Sequence, residues 1–326
     1  MRRDAALEVT LEHDHNHHHP AALSSARDPG RLLWAGLGTF VFVVAELALG
    51  FYAHSSALLA DGGHNLSDVL GLLAAWAAAA LAYRPANSRF SYGWRGGSIL
   101  AALLNGTLLL AAAATAIAVA IWQLIWPSPV DGKLVMAVAA AGIFVNAGSA
   151  WLLRGGNLRD LNVRASYLHL IGDSLISLGV VVAGLLVWWS GWTWIDAAVG
   201  LSIGLSIALS ARGVLKEALA LALGAAPPGL DPSKVRSWLE CQGGVTGVHD
   251  LHIWSLSTTE CALTAHLVMP GEPPEEGFLD KTVVALRSRF GISHSTLQIE
   301  RSGKHSCSLA QGNASIPEKG GGGEAV

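Results

Sequence analysis

Hydrophobic residues dominate six stretches of this chain, near 32–54, 57–82, 97–125, 133–153, 165–189 and 193–214. A helix needs about 20 apolar residues to cross the hydrocarbon core of a bilayer, so each stretch predicts a membrane-spanning helix. Short joints rich in Pro, Gly and polar residues separate them, among them RPANSRFSYGW, WPSPVDGK, RGGNLRDLNVR and SGWTW. From about Pro227 the pattern changes. PPGLDPSKVRSWLECQGG predicts a turn and a helix, with Asp231 as N-cap, Pro232 in the first helical position and Gly243 at the end. VTGVHDLHIWSLS and ECALTAHLVM alternate as strands around a turn at Thr258–Glu260. EEGFLDKTVVALRSRF reads as an amphipathic helix and HSTLQIE as a last short strand.

The predicted fold is therefore an all-α transmembrane domain of six helices over 31–222, followed by a small cytoplasmic α/β domain, in α-β-β-α-β order, over 227–301. Residues 1–30 and 302–326 read as disordered tails, the second rich in Gly and Ser.

Composition agrees with a membrane protein: 52% of the 326 residues are hydrophobic and 14% charged. Arg27, Arg31, Arg84, Arg89, Arg95, Arg154, Arg159, Arg164, Arg212 and Lys216 fall on the side of the N-terminus, and Lys133 alone on the other. That bias places both termini in the cytoplasm. Tryptophans 122, 126, 188, 189, 192 and 194 gather at the opposite face, as an interfacial aromatic belt does. The polar first thirty residues carry no cleavable signal peptide, and a bacterial inner membrane is the expected location. A net charge of −3 gives no reason to expect a nucleic-acid partner. Cys241, Cys261 and Cys307 lack metal-binding spacing and read as reduced, ordinary side chains.

Against this background two pairs stand out, His64/Asp68 and His169/Asp173, in the second and fifth spans. An ionisable side chain at the bilayer centre costs roughly 2.5–3.5 kcal/mol on insertion scales, so four of them demand a compensating partner. Residues at i and i+4 share a helix face, so each pair aims an imidazole and a carboxylate at one point. Facing each other, the two helices offer the ligand set of a tetrahedral divalent-metal site. The bland alternative is a His hydrogen-bonded to its own Asp as a structural pair; the repetition of the spacing favours metal. Histidine must be neutral to ligate, so metal binding competes with protons.

With these residues the chain resembles the cation diffusion facilitators, in particular their CzcD-like zinc group. The matching runs are SSALLADGGHNLSD (55–68), FSYGW (90–94), ILAALLN (99–105), YLHLIGDSLISLGVVV (167–182), WTWIDAAVGLSIG (192–204) and VTGVHDLHIWSLST (245–258). The resemblance implies a six-span fold, a metallochaperone-like cytoplasmic domain, a homodimer, and zinc export against inward proton flow. It carries the transport site over to His64, Asp68, His169 and Asp173, and a cytoplasmic site to His249 and His266. Glu300, at the end of the third strand, is the third ligand expected there; it stands where relatives have Asp, and Gln298 where they have His, which weakens a two-metal cluster. His252 is a further candidate, and His294 reads as a surface residue.

Three more acids lie near membrane depth. Asp61, one turn before His64, is either part of the ion or proton path or a residue that starts the helix. Glu46 resembles a glutamate of the family's first span. Asp196 reads as structural, at the N-terminus of the sixth helix. Asn105 and Asn146 are expected as buried amides between helices. The loop at 84–96 lacks the Asp and His with which some relatives bind an extra metal, and WRGGS lacks their glutamate. The run HDHNHHH at 13–19 holds five histidines and suggests a metal-collecting arm.

The expected function is proton-coupled efflux of divalent cations, chiefly zinc, by alternating access. Cobalt, cadmium, nickel and iron remain open as cargo. No nucleotide-binding loop or phosphorylatable Asp-Lys-Thr-Gly element occurs, so the reading is a metal/proton antiporter and not an enzyme. Expected partners are divalent metal cations, protons, membrane lipid and a second copy of the chain. No cofactor is expected; zinc enters as transported substrate and candidate regulatory ion. The rival classes are a membrane metal sensor and an intramembrane metalloenzyme, for which no His-Glu-x-x-His is present.

Overall fold

The computed structural model describes residues 29–154, 161–271 and 274–302. The expectations for residues 1–28 and 303–326, including the histidine run at 13–19 and Cys307, lie outside them, while Pro29 and Gly30, expected in the first tail, already belong to the first helix. Six long helices come first: α1 (Pro29–Tyr52), α2 (Ser56–Ala82), α3 (Gly97–Ile125), α4 (Gly132–Arg154), α5 (Leu161–Ser190) and α6 (Trp194–Ala222). Then follow α7 (Pro232–Glu240), β1 (Gly247–Ser255), β2 (Cys261–Val268), α8 (Phe278–Phe290) and β3 (His294–Glu300). Helices α2 to α6 are long and apolar enough to cross a membrane, and α1 adds the apolar stretch Gly38–Tyr52. Within α2 to α6 only 22–33% of the most apolar segment is buried inside the molecule. Side chains such as Trp76, Phe144 and Leu209 point outward. Apolar surface of that extent requires lipid around it. The sixth helix runs to Ala222, past the predicted end near 214, because VLKEALALA keeps helical propensity beyond the apolar span.

The chain divides into two compact units, residues up to Gly62 with Ala120–Gly200, and Gly63–Val119 with Leu201 onward. In the first, α4 and α5 form a close antiparallel pair. A Cβ on Gly184 would lie 2.9 Å from the Gly132 carbonyl oxygen, so only glycine admits this approach. Lys133 sits over the Trp188 ring at 5.2 Å. Trp122, Trp126, Trp188, Trp189, Trp192 and Trp194 are all exposed, as belt residues must be.

Also in this unit, Asp196 caps a neighbour. Its carboxylate accepts from the Ser56 backbone N–H at 2.7 Å, the Ala57 N–H at 3.4 Å and the Ser55 hydroxyl at 2.5 Å. It is structural, as expected, but the helix end it satisfies is that of α2 and not its own. Burial makes those orphan N–H groups costly without a partner.

The second unit contains most of α2, α3 and α6 and the small α/β domain. Helix α7 begins as predicted, with Asp231 accepting from Ser233 N at 2.9 Å and Pro232 following it. It ends at Glu240, three residues short of the expected Gly243, with Cys241 as C-cap. The sheet order is β1-β2-β3, with β1 antiparallel and β3 parallel to the central β2. Val235 and Leu239 of α7, Leu286 of α8 and Leu263 and Leu267 of β2 fill the core between helices and sheet. The loop before α3 rests on this domain: the Arg95 guanidinium reaches Glu260 at 3.0 Å, Thr258 N–H donates to Ser98 Oγ at 3.1 Å, and Tyr92 meets His294 edge-on.

Candidate metal centres

The Ser56–Ala82 helix carries the first His/Asp pair. His64 Nε2 and Asp68 Oδ2 are 3.6 Å apart, with side chains 15% and 22% exposed. On the Leu161–Ser190 helix, His169 Nε2 and Asp173 Oδ2 are also 3.6 Å apart, and Asp173 is buried. That distance is within ion-pair reach and longer than an ordinary hydrogen bond. It does suit two ligands of one ion. Donors about 2.0–2.2 Å from a tetrahedral zinc are about 3.3–3.6 Å from each other. The spans' own serines are satisfied locally: Ser67 donates to the Gly63 carbonyl at 2.9 Å and Ser174 to the Leu170 carbonyl at 2.8 Å.

One turn from each pair stands a second polar layer. Ser177 of α5 donates to Asp61 Oδ2 of α2 at 2.8 Å, and both are fully buried. Asp61 is therefore no interfacial helix starter, one of the two roles open to it from sequence. Ser177 was not singled out in the sequence; its position four residues after Asp173 was the available signal. Glu46 of α1 is also fully buried, and a Cβ on Gly62 would lie 3.2 Å from its Cγ, so it packs beside the Asp61 turn. Asn146 is buried as expected. Asn105 is partly so and presses against Gly71, where a Cβ would lie 2.1 Å from its Oδ1.

In the α/β domain the sheet assembles a different centre. The strand register sets His249 opposite His266, their rings 5.1 Å apart, with Gln298 on the far side of His266. Glu300 comes up from the end of β3, buried, with Oε2 at 3.0 Å from His249 Nε2 and Oε1 at 2.8 Å from His266 Nδ1. Each of the three offers a ligand atom within 4.8 Å of the others. Two imidazoles and a carboxylate are a fitting donor set for zinc. Gln298 Nε2 donates to Glu300 Oε1 at 3.1 Å. Asp250, which sequence reasoning passed over, stands next to this group. A regular strand would turn it to the opposite face from His249. Instead a bulge lies between His249 and His252, and Asp250 adopts φ 51°.

Six apolar helices with paired His/Asp groups in two of them, followed by a small domain that gathers two histidines and a glutamate, make up a membrane protein with candidate sites for metal cations. A family model described as the cation efflux transmembrane domain matches residues 32–221, and one described as the cation efflux protein cytoplasmic domain matches 227–302. The chain belongs to the cation efflux family and is a multi-pass membrane transport protein. It is 34% identical to the zinc transporter ZitB of Escherichia coli over 91% of this chain and 96% of that one. It is 32% identical to the cation efflux system protein CzcD of an Alcaligenes species, over 88% and 89% of the two chains. Identity to the cadmium, cobalt and zinc/H(+)-K(+) antiporter of Bacillus subtilis is 32%, over 79% and 85%.

Proposed function

We propose that this protein exports divalent metal, foremost zinc, from the cytoplasm in exchange for protons. His64, Asp68, His169 and Asp173 together form its transport site. The observation that carries the reading is the His-x-x-x-Asp pair present twice, each time with its ligand atoms 3.6 Å apart. The repetition of the same spacing in two spans supports assigning both pairs to one site.

Ligation requires neutral imidazoles and ionised carboxylates. On the cytoplasmic side, metal entry displaces protons from these four groups. On the other side, where protons are more abundant, protonation weakens the site and the ion leaves. The same groups thus serve metal and proton in turn, which couples the two flows without a nucleotide. The printed names of relatives include zinc, cadmium, cobalt and H(+), in line with such cargo. Cobalt and cadmium use similar donors and are the natural competitors. The positive-inside bias supports cytoplasmic termini in a bacterial inner membrane. The reading includes a homodimer and a cytoplasmic metal site on His249, His266 and Glu300 that senses the cargo.

The test is zinc uptake into proteoliposomes under an imposed proton gradient, with internal pH followed in parallel. The native protein moves zinc and protons in opposite directions, whereas Asp68→Ala and Asp173→Ala move neither. Native rates in both variants would overturn the site; zinc flux indifferent to the gradient would overturn the coupling.

A further inference from the structure

The bulge in β1 has a consequence for the cytoplasmic centre. Four residues of β1, from His249 to His252, face only three of β2, from His266 to Thr264. The extra residue keeps His249 and His252 on one face of the sheet, where strict alternation would separate them. Between them, Asp250 holds a left-handed backbone, φ 51°, that non-glycine residues rarely adopt. Asp and Asn tolerate it best, but it still disfavours the fold locally. What the conformation achieves is the placement of one carboxylate between two rings. Asp250 Oδ1 is 3.0 Å from His252 Nε2, and Oδ2 is 3.7 Å from His266 Nε2.

His266 is thus addressed at both nitrogens. Its Nδ1 faces Glu300 at 2.8 Å and its Nε2 faces Asp250. A metal held through Nδ1 requires the proton on Nε2, and a carboxylate beside Nε2 favours that tautomer. At 3.7 Å Asp250 acts through charge and not through a formed hydrogen bond. His252 anchors the carboxylate from the other side.

We infer that Asp250 is a positioning residue of the cytoplasmic metal centre. It orients His266 and selects its Nδ1-ligating tautomer, with the β1 bulge as the device that brings it there. The inference rests on the proposal that His249, His266 and Glu300 bind metal, and the experiment separates the two. Full-length protein carrying Asp68→Asn and Asp173→Asn, so that the transport pairs are disabled, is titrated with zinc against a chromophoric chelator in detergent. Glu300→Gln in this background reads the centre itself; if it leaves zinc binding unchanged, the underlying site is wrong.

Where Glu300→Gln does weaken binding, Asp250→Asn decides the inference. Asparagine tolerates the left-handed backbone and still accepts from His252, but it carries no charge. Expected is an affinity about tenfold lower, the scale of lost outer-shell carboxylates, with the metal-free melting temperature unchanged. Asp250→Gly, which relieves the backbone, should match or exceed that loss of affinity while the metal-free protein stays folded. Native affinity in Asp250→Asn overturns the inference. So does an affinity loss that tracks a lowered metal-free melting temperature, which would make Asp250 merely structural.

Discussion

The Ser177 hydroxyl of α5 lies 2.8 Å from the Asp61 carboxylate of α2, donating to it where neither side chain meets solvent. It is a direct tie between the two helices that carry the His/Asp pairs. A hydrogen bond contributes about 0.5–1.5 kcal/mol net, and leaving a buried polar group without its partner costs about 1–3 kcal/mol. Ser177→Ala should therefore lower the melting temperature of the detergent-solubilised protein and slow zinc uptake. Ser177→Thr keeps the hydroxyl and should retain both. If alanine leaves melting and uptake at native values, this tie does not position the ligand helices.

Asp196 concerns stability alone. One carboxylate serves the Ser55 hydroxyl and the first N–H groups of α2, and Gly200 packs against the same turn. A Cβ on Gly200 would lie 2.7 Å from Ser56 Oγ, so the helix start and its cap are built around the absence of a side chain. Asp196→Ala should destabilise the protein by about 3 kcal/mol or more, because several buried donors lose their acceptor together. Asp196→Asn should cost less, since its carbonyl oxygen still accepts. Thermal unfolding of both variants ranks them, and an alanine variant as stable as asparagine would refute the capping role.

The comparison of sequence with structure turns on which patterns are local. Apolar length and Pro/Gly joints are local, so the six helices fell within a few residues of their predicted bounds except at Ala222, where helical propensity outlasts the apolar span. The i,i+4 spacing is local too, and each His/Asp pair shares a face as expected. Asp196 shows the limit: its proximity to its own helix start was visible, whereas its partners lie about 140 residues away. Asp250 was missed because strand alternation is a rule about regular strands, and a bulge with a left-handed residue breaks it. His249, His266 and Glu300 were identified through family resemblance and strand adjacency, and the parallel return of β3 is what brings the glutamate to them.

The two described cysteines should react at very different rates. Cys241 caps α7 and is exposed, while Cys261 begins β2, buried, with its thiol near the Gly291 carbonyl at 3.8 Å. Burial pushes the Cys261 thiol above its ordinary pKa, partly opposed by the Ser293 backbone N–H. Since the thiolate is the nucleophile, Cys261 stays unreactive at neutral pH. Maleimide labelling followed by peptide mass mapping should modify Cys241 in the folded protein and Cys261 only after denaturation. Prompt labelling of Cys261 would mean that the edge between β2 and the start of β3 opens readily.

The loop before α3 offers two contacts to the α/β domain that differ in kind. Arg95 and Glu260 are 45% and 37% exposed, so their 3.0 Å pair contributes about 1 kcal/mol or less and weakens with salt. Ser98 donates to the Arg95 carbonyl and accepts from the Thr258 N–H, a neutral link in which one hydroxyl is used in both directions. Arg95→Ala should raise hydrogen exchange in the β1–β2 turn at low salt and make little difference at high salt, where the native pair is already screened. Ser98→Ala should speed exchange of the Thr258 amide by the same factor at both ionic strengths, because no charge is involved. An Arg95→Ala effect that persists at high salt would show that the guanidinium acts through packing against the turn and not through its charge.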